Sequence, residues 1–354
     1  MLDGVKVVHF GHFDPQYSRN RIMAKALRRA GATVRNVTDR SRFTTRAPRL
    51  LRSLQPSDAD VVLVGFPGHA DVPVARLGSA RRRTPVLFDA FVSLSESAED
   101  RGHVKPGGIA AKRYWLEDRV ACHFATRTIL DTDTHARFFA DSVGVPSSRL
   151  RHVWVGADDD VIKPGSTPDD SEFRVFVYAS FIPLHGLEHV VRAAHLLEQH
   201  DDGIRIEIVG AGDTEARIRR LASELDVRSV QFLGRRPYEE LPTLMAASHA
   251  CLGIFGTSGK AQRVIPNKVF DALAAARAVI TGDTPAAREV LTHADTAWLC
   301  PPGDPRALAD SILALRGAPE ARARIARRGH ELFRQKFCID AIAADLAPIV
   351  LEVL

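Results

Sequence analysis

Long apolar runs are what this chain most plainly lacks. No stretch approaches the ~18 residues that a membrane-crossing helix needs, and the start, MLDGVKVVHFGHFD, shows neither a charged leader with a long apolar segment nor a cleavage site. A cytoplasmic protein is therefore expected. Cysteine is scarce as well. Cys122, Cys251, Cys300 and Cys338 lie far apart, with no CxxC pair and no histidine at zinc spacing, so they read as reduced, buried thiols and no metal site is expected. Neither charge sign dominates. The formal net charge is +5 and the arginines are scattered through helical stretches, which leaves no arm dedicated to nucleic acid. GxGxxG is also missing after the first apolar run, where GHFDPQYS stands instead, and this argues against an ordinary dinucleotide oxidoreductase. Internal repeats and low-complexity tracts are absent beyond local alanine enrichment.

What is present is 354 residues with 45% hydrophobic content, enough for two ordinary cores. Apolar runs of strand length alternate with helical-period stretches: VKVVHF, RNRIMAKALRRAG, DVVLVGF, TPVLFDAF, YWLEDRVACHFA and TRTILDT. The rhythm breaks at 155 to 173, which is rich in Asp, Pro, Gly and Ser, and resumes with strands expected at 174 to 179, 205 to 209, 229 to 233, 249 to 255 and 278 to 281. The expectation is two doubly wound α/β domains with parallel sheets, 1–160 and 161–339, with ligands beyond the carboxyl ends of the strands.

Within the second half, ACLGIFGTSGKAQRVIPNKVFDALAAA reads as a strand, a Gly-Ser loop and a helix opened by Pro266 and Asn267. Such a junction aims backbone N–H groups and a positive helix end at one point. Gly256, Gly259, Lys260, Arg263 and Lys268 add flexibility or charge there, which suits a diphosphate. Asp271 stands where a carboxylate can accept two hydrogen bonds from a vicinal diol such as that of a ribose. On this segment alone, a solvated loop and a carboxylate serving the helix dipole explain the same residues equally well.

Several segments together resemble the family-4 type of GT-B retaining glycosyltransferase, in the right order and over nearly the whole chain. They are NKVFDALAAARAVITGDTPAAREVL, IRIEIVGAGDTEARIRRLASELDV, VQFLGRRPYEELPTLMAASHACLGIF, VWVGADDDVIKP and AWLCPPGDPRALADSILAL. The resemblance implies a GT-B fold, two Rossmann-like domains facing across a cleft, with acceptor held by the N-terminal one and nucleotide-sugar donor by the C-terminal one. It also implies that a last helix, 340–354, crosses back to the N-terminal domain.

This sequence departs from the family pattern in three places. Of two acids eight positions apart that bracket the donor helix, the second is here Asp271, shorter than the usual Glu, and the first falls on Arg263. The Arg and Lys usual in the loop VYASFIPLHGLEHVVRAA are replaced by Ser180 and His185, so Lys260, Arg263 and Lys268 are expected to supply the lost charge, with His185 as donor. A Gly-Gly pair after the first strand is replaced by Ser18, Arg19 and Asn20, although Gly11 still follows the strand. Arg19 is read as a phosphate clamp reaching across the cleft or, alternatively, as an ordinary helix cation.

Polar residues also punctuate the first half. Asp89 interrupts an apolar strand near its carboxyl end, where a buried carboxylate needs a partner or a task. With His12 and Asp14, it is the candidate for orienting the acceptor hydroxyl or supporting the developing cation. Thr132 or Asp133 suits a helix cap. RSRFTTRAPRLLRSLQ, 40 to 55, carries five arginines and no acid beside Phe43, Leu50, Leu51 and Leu54, and either contacts an anionic membrane or is a solvated helix. The resulting expectation is metal-independent, cofactor-free transfer from a nucleotide-diphosphate sugar to a glycan, lipid-linked or small-molecule acceptor, with no nucleic-acid partner. The competing readings are a GT-B epimerase or pseudo-glycosyltransferase and a catalytically silent nucleotide-sugar-binding protein.

Overall fold

The computed structural model describes the chain except for residues 55–58, 167, 169–171 and 201–202. It divides into two compact units, Met1–Gly156 with Ile339–Leu354, and Ala157–Cys338. The first unit thus ends at Gly156, inside the 155–173 stretch, of which 167 and 169–171 lie outside the described residues.

In the first unit the elements are β1 (Lys6–Gly11), α1 (Ser18–Arg29), β2 (Thr33–Thr38), α2 (Phe43–Ser53), β3 (Val61–Val64), α3 (Val72–Gly78), β4 (Val86–Phe91), α4 (Leu94–Asp100), α5 (Ile109–Phe124), β5 (Arg127–Leu130), α6 (Asp133–Phe138) and β6 (Leu150–His152). They form a six-stranded sheet, β2-β1-β3-β4-β5-β6, parallel throughout. Because β3 and β4 are buried on both faces, they read in sequence as apolar runs, β4 broken by Asp89. β2 is different. It is an edge strand with no fully buried residue, so TVRNVT carries no apolar run and sequence reading passes over it. Three-residue β6 escapes for its brevity.

The second unit contains β7 (Phe173–Ala179), α7 (Leu187–Glu198), β8 (Ile204–Gly210), α8 (Glu215–Glu224), β9 (Val230–Gly234), α9 (Leu241–Ala246), β10 (Ala250–Leu252), α10 (Asn267–Ala274), β11 (Ala278–Gly282), β12 (Trp298–Cys300), α11 (Pro305–Gly317) and α12 (Pro319–Lys336). Its sheet, β12-β11-β10-β7-β8-β9, is also parallel throughout. The strand expected at 249 to 255 is shorter than its apolar run, since Gly253–Phe255 leave the ladder as a loop. The expected last helix is an element separate from α12. The two are parted at Phe337 and Cys338, and α13 (Ile339–Leu351) packs on α1 in the first unit, where Arg29 meets Asp340 at 2.6 Å.

Each sheet reverses its strand order once, at β1/β3 in the first unit and at β7/β10 in the second. In open α/β sheets the crevice beyond the carboxyl ends of such a pair is where ligands bind. Each core lies on the faces of its sheet. Val8, Val62, Phe88 and Phe139 belong to one, and Val175, Ile206, Ile280 and Leu308 to the other.

Candidate functional site

The reversal between β7 and β10 draws two loops together. Leaving β7, the chain runs through Ser180 to a short 3-10 turn, Pro183–His185, and enters α7 at Gly186. The loop leaving β10 crosses it, with the Phe255 amide donating to the His185 carbonyl at 3.2 Å and the Gly256 amide to the Leu184 carbonyl at 3.3 Å. Glycine is required on both sides of this crossing. A Cβ on Gly186 would lie 2.5 Å from the Phe255 carbonyl carbon, and one on Gly256 2.5 Å from the Leu184 oxygen; Gly186 also sits at φ +62°. Ser180 is exposed at the end of β7, while His185 is buried inside the crossing.

From that crossing the chain makes a turn-rich passage through Ser258–Arg263 and starts α10 at Pro266, which has extended backbone angles and no capping side chain. Its first turn contains no acid. The positive end of the helix is thus left without a carboxylate of its own, the arrangement that favours an anion. Arg263 is half-buried and lies over Gly259, where a Cβ would come within 2.7 Å of Nη1. Lys260 is buried in the same loop, and Asn267 is half-buried at the helix start.

Lys268 is 4% exposed. Its Nζ has no hydrogen-bond partner and lies 5.8 Å from the centre of the Tyr178 ring. Burial lowers its pKa to about 7, against an ordinary 10.5. A buried ammonium in this condition is costly unless something anionic or aromatic offsets it, and a ring at that distance supplies only part of the offset.

Asp271 departs from expectation. It is fully buried, and both carboxylate oxygens accept from phenols: Tyr178 on β7 donates to Oδ2 at 2.5 Å and Tyr238 to Oδ1 at 3.1 Å. The carboxylate is therefore engaged where an open diol-binding group was expected. Sequence reading misses both tyrosines because they stand 93 and 33 residues from their partner.

In the first unit, Gly11 closes β1 at φ +113°, where a Cβ would meet the Asp71 carboxylate at 3.3 Å. The next amide, that of His12, donates to Asp71 Oδ2 at 2.7 Å, and Arg46 Nε donates to Asp71 Oδ1 at 2.9 Å. Asp71, in the turn after β3, is thus the buried acid against this loop, and no sequence pattern marked it. His12 Nδ1 lies 3.4 Å from the Asp39 carbonyl, and half-exposed Asp14 accepts from Arg40 at 3.2 Å.

Arg19 and Asp89 require correction. Arg19 is fully buried: its Nε donates to both Asp89 oxygens at 3.2 and 2.9 Å, its Nη2 to Oδ1 at 2.9 Å, and its Nη1 to the carbonyls of Val153 and Trp154 at 2.8 and 2.9 Å. A guanidinium so engaged within its own unit is not a clamp for a phosphate elsewhere. Asp89, 1% exposed, has the partner that its position in a strand demands, and burial raises its pKa against the pull of Arg19. Both side chains are buried in this pairing.

Beside this pair lies a histidine that the sequence did not single out. His135 Nδ1 is 2.8 Å from Asp131 and Nε2 is 3.4 Å from Glu96. Burial works to lower its pKa, but the two carboxylates outweigh it and raise the value to about 9. Thr132 caps α6 through the His135 amide, so Asp131 is free to hold the ring. Helix α2 also differs from expectation. Leu50 is buried, Leu51 and Leu54 lie in reach of Gly78, and Arg46 and Arg49 pair with Asp71 and Asp39, so the leucines of 40–54 form no exposed apolar face and Phe43, 45% exposed, stands apart from them; residue 55 lies outside the described residues.

Among the described residues, no group of three or more His, Cys, Asp or Glu side chains could hold a metal ion, and no helix is long and apolar enough to cross a membrane.

Residues 158–332 match the family model for glycosyl transferases group 1. A glycosyl transferase assigned to colanic acid biosynthesis in Escherichia coli strain K12 is 31% identical over 138 residues, covering 38% of this chain and 33% of that protein. A GDP-mannose-dependent alpha-(1-6)-phosphatidylinositol monomannoside mannosyltransferase of Mycolicibacterium smegmatis is 28% identical over 224 residues, covering 60% of this chain and 53% of that protein. The chain thus matches about a third to a half of the length of these curated relatives. Among solved structures, Anabaena HepE in complex with UDP and glucose superposes with a TM-score of 0.76 at 18% identity, covering 99% of this chain and all of that one. The family match covers residues 158–332, and the two parallel six-stranded sheets have the arrangement of the GT-B fold.

Proposed function

We propose that the chain transfers a sugar, with retention and without a metal, from a nucleotide-diphosphate sugar to an acceptor hydroxyl on a glycan, a lipid-linked molecule or a small molecule. The observation that carries this reading is the start of α10, an uncapped helix end without an acid, beside Lys260, Arg263 and a Lys268 ammonium that lacks a hydrogen-bond acceptor. A diphosphate supplies the missing acceptor, and the relatives named for GDP-mannose and crystallised with UDP support that ligand class. In front-face transfer the barrier falls mainly through stabilisation of the departing diphosphate, so fixed cations and helix-end amides are the groups expected to contribute most.

The buried phenols change the role proposed for Asp271. It holds Tyr178 and Tyr238, and so shapes the wall beside Lys268, rather than binding a ribose diol with its own oxygens. His12 and Asp14 remain the candidates in the first unit for the acceptor and Gly11 a candidate for the donor, while Ser180 and His185 line the crossing loops.

Thermal stabilisation by UDP, GDP, dTDP, ADP and CMP, with and without EDTA, tests the ligand class. A nucleotide diphosphate at ~100 times its Kd should add ~2.7 kcal/mol. One that stabilises the wild type and not Lys268→Met supports the reading; stabilisation by none of them overturns it.

A second reading, a catalytically silent nucleotide-sugar-binding protein, is favoured by the engagement of Asp271 and by Arg263 in place of an acid. Binding without product from any nucleotide sugar and acceptor would move it ahead. Interconversion of the nucleotide sugar without acceptor would point instead to an epimerase.

A further inference from the structure

Helix α5 has apolar residues on two opposite sides. Ala111, Ala121 and Cys122 face inward and are buried with Asp118. Ile109, Leu116, Val120 and Phe124 face outward and are 92%, 52%, 36% and 43% exposed. At 100° per residue these four fall within an arc of about 80°, one stripe along the outer surface. Four of the ten large hydrophobic side chains most exposed among the described residues are therefore on this one helix. Isolated exposed leucines need no explanation, but an aligned stripe does.

The charges around the stripe indicate what covers it. Lys112, Arg113 and His123 are exposed on the same outer half of the helix, and Lys105 is exposed just before it, whereas Arg119 turns aside and donates to the Val143 carbonyl at 3.0 Å. The acid on that side is Glu117, already paired with Arg113 at 3.3 Å, since Asp118 is turned inward and holds Ser93 and the amides of Leu94 and Ser95. An apolar stripe flanked by cations complements a surface that is apolar beneath and anionic on top. A second copy of the chain fits less well. Sixteen residues of helix offer about 24 Å by 10 Å, roughly 240 Å², against the ~800 Å² per partner of a stable interface. Two such faces would also oppose cation to cation.

We propose that α5 is a docking face for an anionic lipid surface, on which Ile109, Leu116, Val120 and Phe124 enter the headgroup layer while Lys112 and Arg113 meet the lipid phosphates. It takes the place of the 40–55 segment, whose leucines turn inward. The proposal is independent of any transfer reaction.

Flotation of the full chain with phosphatidylcholine vesicles, with and without phosphatidylglycerol, tests it. The wild type should rise with the anionic vesicles alone, and less so at high salt. Leu116→Ser/Phe124→Ser should weaken binding about tenfold or more. Lys112→Glu/Arg113→Glu should weaken it by about 25-fold, at about fivefold for each cation lost. Because all four positions are exposed, melting curves of both variants should match the wild type. Failure of the wild type to float with anionic vesicles overturns the proposal, as does unchanged flotation of both variants. A concentration-dependent dimer in light scattering that Leu116→Ser/Phe124→Ser abolishes would show that a second copy covers the face, and overturns it too.

Discussion

Arg19 and Lys268 are both buried cations, one in each unit, and their surroundings treat them in opposite ways. Arg19 is surrounded by acceptors, namely both oxygens of Asp89 and two backbone carbonyls. Around it the first unit repeats the pattern, with His135 between Asp131 and Glu96, and Arg46 on Asp71. One buried ring there does lack hydrogen bonds. His9 has no hydrogen-bond partner on either ring nitrogen, but burial lowers its pKa to about 3, so it is neutral, stacked 3.9 Å from Phe13. Lys268 has an aromatic face and no acceptor. The difference teaches where to look for a ligand: a satisfied buried charge belongs to the scaffold, whereas an unsatisfied one marks a place at which something else completes the structure.

The sharpest way to break this comparison is to remove one half of the satisfied pair. Asp89→Asn or Arg19→Met should cost about 3–5 kcal/mol in denaturant unfolding, with nucleotide stabilisation retained by the fraction that folds. A nucleotide effect lost while stability holds would place the pair in the ligand site after all.

Lys268→Met should do the opposite. An amine whose folded pKa is depressed from 10.5 to about 7 makes the unfolded state bind more protons between those values, so the wild type gains stability as pH rises through that window. The variant should be more stable by about 5 kcal/mol at pH 6, the gap closing toward pH 10.5, while losing nucleotide stabilisation. Destabilisation at pH 6 would mean that the ammonium already has its partner.

His135 should give the reverse slope in the other unit. Its folded pKa is raised from 6.5 to about 9, so its contribution is complete below pH 6.5 and is lost as pH climbs through 9. Hydrogen exchange resolved along the chain should show protection in Met1–Gly156 falling across that window, by about 3 kcal/mol, and His135→Gln should flatten the fall. Protection independent of pH in the wild type would remove the ion pair from the account. The smallest effect belongs to Tyr238→Phe, which deletes one hydrogen bond to Asp271 and should cost about 1 kcal/mol.

How much of this was legible in the sequence follows from separation along the chain. Strands buried on both faces, such as VVLV at 61–64, announce themselves; the exposed edge strand β2 does not. The uncapped start of α10 and its cations lie within a dozen residues of one another, so the candidate anion site was readable from one segment. Asp89 was recognisable as a carboxylate in need of a partner, but the partner is 70 residues away, and only the fold reveals that it is Arg19. Tyr178 and Tyr238 were invisible for the same reason, and so the reading of Asp271 as open to a diol had nothing to oppose it.

The position of α13 bears on how the molecule is made. Residues 339–354 complete the unit that begins at Met1, yet they leave the ribosome only after the whole of Ala157–Cys338 has been synthesised. Nascent first-unit chain must therefore wait, with the face of α1 that α13 later covers still open to solvent, while the unit encoded second has all its residues first. For this chain, the order of synthesis and the order of completion are inverted.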